Sequence, residues 1–266
     1  MAHVEPPPSS APDEEAADFE VDAGPLTDSP RARRQAWSVA LGVTAAIAMA
    51  FTLAFGPSRR GSLTILAVMG VAYLILTFGA VSWLRQTAAL RQRLQPTRGD
   101  ITLGFIIALG LYLAAVMFHY LVTSEGVANG WLLQLYHHAG ELHSPLAARR
   151  QQAFPMTSVA TLGAVLLIAA GEEAVWRGWV MDHLRRIYGE RRGWLLATLM
   201  YAVAHLPTLW LLRDPGAGLN PLLVVAAAGC GLVWGWVAMA TQRLPQVIVA
   251  HALFIWAVLE YPLWRF

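Results

Sequence analysis

The sequence predicts an all-α, polytopic transmembrane bundle of about seven spans, with room for an eighth element in its longest connection. Three observations predict it. Of 266 residues, 56% are hydrophobic and only 14% charged, against about 25% charged in a soluble domain. Mean hydropathy is +0.48. Seven apolar runs recur along the chain, each near the ~20 residues that a helix needs to cross hydrocarbon.

The elements follow in order. Residues 1–34 are Pro-rich and acidic and read as a disordered tail. They lack the basic start and apolar core of a signal peptide. Runs at 36–56, 63–84 and 101–123 give an N-terminal set of membrane helices within residues 35–123, the third preceded by Asp100. Residues 124–155 form a connecting loop, and the WLLQLYHH stretch within it reads as an interfacial helix or part of an eighth membrane element. Runs at 156–182, 193–212, 219–241 and 245–262 fill a core over residues 156–266. Asn220–Pro221 and Pro245 are helix-start signals. Ala227, Gly231 and Gly235 repeat every four residues, a stripe that lets another helix approach.

Charge sets the orientation. Eight acids precede the first basic residue, Arg31, which leaves nine acids against 19 arginines in the remaining body. That balance suits anionic lipid headgroups and gives no ground for a nucleic-acid partner. Twelve arginines fall in the N-terminal flank and the connections after spans two, four and six; six fall on the other face. The positive-inside rule therefore puts the N-terminus in the cytoplasm of a multi-pass cell-membrane protein. Cys230 is the single cysteine, so no internal disulfide exists.

Ionisable residues inside spans are expensive and are functional candidates by default, at about 2.5–3.5 kcal/mol each on the insertion scale. The fourth span carries Glu172, Glu173 and Arg177; the fifth carries His205 and the seventh His251. His119 lies near the end of the third span and reads as interfacial. Glu173 and Arg177 stand four apart and can neutralise each other. Glu172 is turned about 100° away, with Trp176 four residues on, and reads as a spare, desolvated carboxylate suited to general-base work. At 1.5 Å per residue, Glu172, His205 and His251 lie roughly 15, 18 and 10 Å from the cytoplasmic ends of their spans. A carboxylate and two imidazoles thus share a layer in the cytoplasmic half. Pro207 should bend the chain just beyond His205.

These residues resemble a family. EEAVWRG is similar to the EExxxR motif of the CAAX-protease and bacteriocin-processing (CPBP) membrane proteases, and YAVAH to their FxxxH motif, with Tyr201 for Phe. His251 stands where their HxxxN/D motif begins. The resemblance covers roughly residues 150–262. It implies a metal-independent glutamic endopeptidase without cofactors, acting on a membrane-associated peptide or protein. In it, Glu172 and His205 activate water, Glu173 and Arg177 organise the site, and His251 stabilises the oxyanion. Where the family has Asn or Asp, this chain has Ile255. An oxyanion donor is typically worth about 10²–10³ in rate; Trp256 and Tyr201 are the candidates to replace it.

Two alternatives stay open at this stage: a catalytically impaired relative serving as a membrane binding, immunity or scaffold protein, and a proton-coupled transporter using the same relay. A His₂Glu zinc set is chemically open too. His137, His138 and His143 carry no ligand spacing of note and read as solvated loop.

Overall fold

The computed structural model describes residues 29–56, 62–87, 89–123, 127–139 and 156–260. The acidic tail to residue 28, the whole stretch 140–155 with His143, and residues 261–266 lie outside the described residues. Within them every element is a helix, apart from an isolated bridge between Asp214 and Gly218.

The first helix, α1 (Pro30–Ala54), starts four residues earlier than the tail boundary expected from composition. The Ser29 hydroxyl accepts the Ala32 amide at 3.1 Å, and Pro30 opens the first turn. A capping serine followed by proline sets the start despite three flanking arginines. After it come α2 (Ser62–Gln86), the short α3 (Leu90–Leu94), α4 (Asp100–Thr123) and α5 (Val127–Ala139). The helix α5 falls on the WLLQLYHH stretch. The core then runs α6 (Met156–Glu173), a π-helical segment (Ala174–Val180), α7 (Met181–Tyr188), α8 (Glu190–Ala204), α9 (Pro207–Leu211), α10 (Leu222–Thr241) and α11 (Pro245–Glu260).

Among the described residues six rods are long and apolar enough to cross a membrane: α1, α2, α4, the α6–α7 rod, the α8–α9 rod and α10. The apolar α11 is shorter, at 16 residues. The chain is a multi-pass membrane protein. The most apolar stretches of α2 and α4 bury only 17% and 11% inside the protein, against 39% in each of the other four rods. Those two therefore give most of their surface to lipid, while the others enclose the core.

One end of the bundle gathers the arginine-rich connections. Asp182 at the start of α7 receives Arg186 at 2.9 Å, Arg185 at 3.3 Å and Arg93 at 3.5 Å, and the Trp83 indole N–H at 2.9 Å. Burial pushes the Arg93 guanidinium down to about 10, and nearby Arg185 pushes the same way. Arg243 pairs with Asp100 at 2.8 Å, and the Leu244 amide donates to the Arg93 carbonyl at 2.9 Å. Trp37 near the start of α1 donates to the Tyr188 hydroxyl at 2.7 Å. At the opposite end Asn220, almost fully buried, donates to the carbonyls of Trp131 at 2.9 Å and Leu212 at 3.0 Å. That bond ties α5 to the loop before α10.

The small-residue stripe on α10 faces α8. A Cβ at Gly231 would sit 3.1 Å from Tyr201, and one at Gly235 2.5 Å from the Trp194 indole nitrogen. The two backbones approach closely enough for Thr198 Oγ1 to donate to the Gly231 carbonyl at 3.3 Å.

Candidate active site

Glu172 and Glu173 close α6, and the backbone widens into the π-helical segment immediately after them. The Met181 amide reaches back to the Trp176 carbonyl, five residues away. Such widened turns recur at functional sites because they re-aim side chains within a rod. Here the wide turn carries Trp176 and Arg177, both buried.

Arg177 Nη1 lies 3.1 Å from Glu173 Oε1, the pairing expected from the sequence. The same carboxylate oxygen lies 2.7 Å from His251 Nδ1. Sequence spacing had grouped His251 with Glu172; its nearest partner is the other glutamate. Glu173 is fully buried, and an ionised carboxylate only accepts hydrogen bonds. Nδ1 of His251 therefore carries the proton, and Nε2 is the atom left for other chemistry. Trp234 on α10 stacks on the imidazole, ring centres 3.9 Å apart, and the Arg177 guanidinium lies 5.6 Å from the Trp234 ring centre.

Tyr201 joins the two halves of the site. It lies within electrostatic range of Glu172. Its ring lies under the Arg177 guanidinium at 4.7 Å and meets Trp176 edge-on at 5.3 Å. Its carbonyl lies 2.8 Å from His205 Nδ1. A carbonyl only accepts, so this nitrogen also carries the proton, which leaves Nε2 of neutral His205 with a free lone pair.

The position of His205 follows from its neighbours. Helix α8 stops at Ala204 because Pro207 brings no amide to continue the ladder. The released His205 carbonyl accepts the Thr208 hydroxyl at 2.7 Å and its amide at 3.0 Å. Phe51 of α1 covers the imidazole at 4.4 Å. His205 and His251 lie within electrostatic range of one another and of Arg177.

Glu172, His205 and His251 retain 8%, 8% and 5% exposure, so each of the three is buried. Among the described residues no three or more His, Cys, Asp or Glu side chains gather as a metal-ligand set. Trp256 points elsewhere: its indole N–H donates to the carbonyl and hydroxyl of Ser158 at 3.2 Å. Ser158 lies 14 residues before Glu172, about 21 Å along the helix.

Two participants escaped the sequence reading. Tyr73 on α2 is buried, accepts the Trp176 indole N–H at 3.1 Å and lies within electrostatic range of Glu172. Trp234 forms the stacking wall of His251. The available signal for Tyr73 was a lone phenol in an otherwise apolar span. For Trp234 it was a large ring directly before the Gly235 notch.

The fold and this interior define a class: a multi-pass helical membrane protein with a buried cluster of two carboxylates, a guanidinium and two imidazoles. Residues 154–257 match the family model of the Rce1-like proteins, described as type II CAAX prenyl endopeptidase Rce1-like. That segment, less than half of the chain, is similar to the Rce1-like family and contains the two carboxylates, the guanidinium and both imidazoles of the cluster. No curated protein matches the chain, and no solved structure does.

Proposed function

We propose that the protein is a glutamic intramembrane endopeptidase in which Glu172 and His205 together deprotonate an attacking water. The observation that carries this reading is that Glu172 and His205 each lie within electrostatic range of the buried Arg177, inside a segment that matches an endopeptidase family model. Glu172 supplies the carboxylate. His205 is neutral, with its Nε2 lone pair free, and returns the proton to the leaving amine. Such positioned acid–base groups contribute about 10²–10⁴ in rate.

Glu173 and Arg177 fix the frame. Glu173 holds the Nδ1 side of His251, which leaves the Nε2 side of the ring to face the oxyanion. Tyr201 takes over the donor role that Ile255 cannot fill; Trp256 is engaged too far away. The substrate is a membrane-associated protein whose cleavable segment enters from the arginine-rich, cytoplasmic end.

Ile255 also favours a second reading, a relative that binds such segments without cutting them, because it lines an apolar cavity and offers no donor. Reconstituted protein incubated with membrane-anchored peptides separates the two. Cleavage that survives chelators and disappears in His205→Ala supports the endopeptidase. Retained peptide binding with no product from wild type supports the binder. Chelator-sensitive cleavage would point to a zinc site instead.

A further inference from the structure

A cavity lies beyond the site, toward the end of the bundle opposite the arginine-rich connections. It measures about 330 Å³ and lies between α4, α5, α10 and α11. Its walls are apolar, among them Leu111, Phe254 and Ile255, and it is partly open toward lipid-facing surface such as Val225, which is 51% exposed. Volume and lining are those of a small-ligand site.

One side chain sets it apart from an ordinary lipid groove. His119 borders the cavity, is 92% buried (8% relative exposure), and its Nδ1 has no hydrogen-bond partner. An orphaned ring nitrogen in apolar surroundings is costly unless something pairs with it. His119 is 19 residues beyond Asp100, about 28 Å along α4 and close to the far membrane interface. From there the cavity runs inward to Leu111 and Ile255, roughly 12 Å by helix rise. Among the described residues no arginine or acid lines it, so a phosphate or carboxylate head would be buried there without a counter-charge.

We infer that this cavity binds a single-chain neutral lipid, a monoacylglycerol or long-chain alcohol from the leaflet on that side. Its oxygen head pairs with His119, and its hydrocarbon chain reaches Cys230 and Ile255. The inner end is informative. Cys230 lies within electrostatic range of Arg177 and Glu173. Trp234 and His251, one turn further in on α10 and α11, are in stacking contact. The chain end therefore presses on the residues that back the His251 imidazole.

Cys230 is the chain's only cysteine, so its modification reads occupancy independently of peptide cleavage. Full-length protein in nanodiscs is treated with N-ethylmaleimide, with or without 1-monooleoylglycerol, oleate or octadecane, and the rate is followed by intact mass. Monooleoylglycerol should slow labelling about tenfold at a concentration where octadecane and oleate do little. His119→Phe should weaken that protection roughly five- to tenfold, the loss of one hydrogen bond. Ala226→Phe, which fills the cavity, should remove it. Equal protection by octadecane, unchanged protection in His119→Phe, or none in wild type would each overturn the proposal.

Discussion

Two adjacent glutamates have opposite environments. Glu173 is fully buried, with one oxygen shared by Arg177 and His251. Replacing it with Gln leaves a guanidinium without its counter-ion, and breaking a buried pair costs about 3–5 kcal/mol. Glu173→Gln should lower the thermal midpoint in detergent sharply. Glu172 lies within electrostatic range of Tyr201 and holds no ion pair among the described residues, so Glu172→Gln should leave the midpoint nearly unchanged while cleavage falls about 10²–10⁴-fold. Tyr201→Phe keeps the ring against Arg177 and removes only the hydroxyl. It should slow cleavage by about 10²-fold if the hydroxyl replaces the donor missing at Ile255, with little effect on folding. The Glu173–Arg177 pair was readable from i, i+4 spacing; the attachment of His251 to Glu173 was not. Intervals along one helix carry no information about which face α11 turns toward α6.

At the scale of elements, helix extents were legible because apolar runs, Pro and Asn mark them directly. Pro207 ends α8, and Asn220 caps α10 by accepting the Leu222 amide at 3.2 Å. The π-helical segment was not legible: EEAVWRGWV reads as an ordinary 3.6-residue repeat, and the widening depends on what packs around it. The α8–α10 contact gives a direct test. Gly235→Leu drives a side chain into Trp194 and should destabilise the protein by about 1–3 kcal/mol, read as a lower unfolding midpoint. The loop between α9 and α10 gives another. The amides of Ala217 and Gly216 hold Asp214 below the usual carboxylate range. Its folded value is depressed, so its contribution is present above about pH 4 and lost as pH falls through the folded value. Exchange protection of the Ala217 amide should persist at neutral pH and disappear only in stronger acid.

For the whole molecule, the twelve-arginine face of the sequence and one physical end of the bundle largely coincide, through Asp182, Asp100 and the Arg93 carbonyl. That agreement supports a cytoplasmic assignment for this end. A reporter enzyme active only outside the membrane should be silent when fused after Gln95 and active when inserted after Gly218. The catalytic claim rests on the asymmetry between the glutamates and has one decisive measurement. Cleavage of a membrane-anchored peptide by reconstituted Glu172→Gln should be compared with wild type at equal folded fraction. We expect a folded protein that binds the peptide and releases no product above about one hundredth of the wild-type rate. Product formed by Glu172→Gln at the wild-type rate would contradict the account.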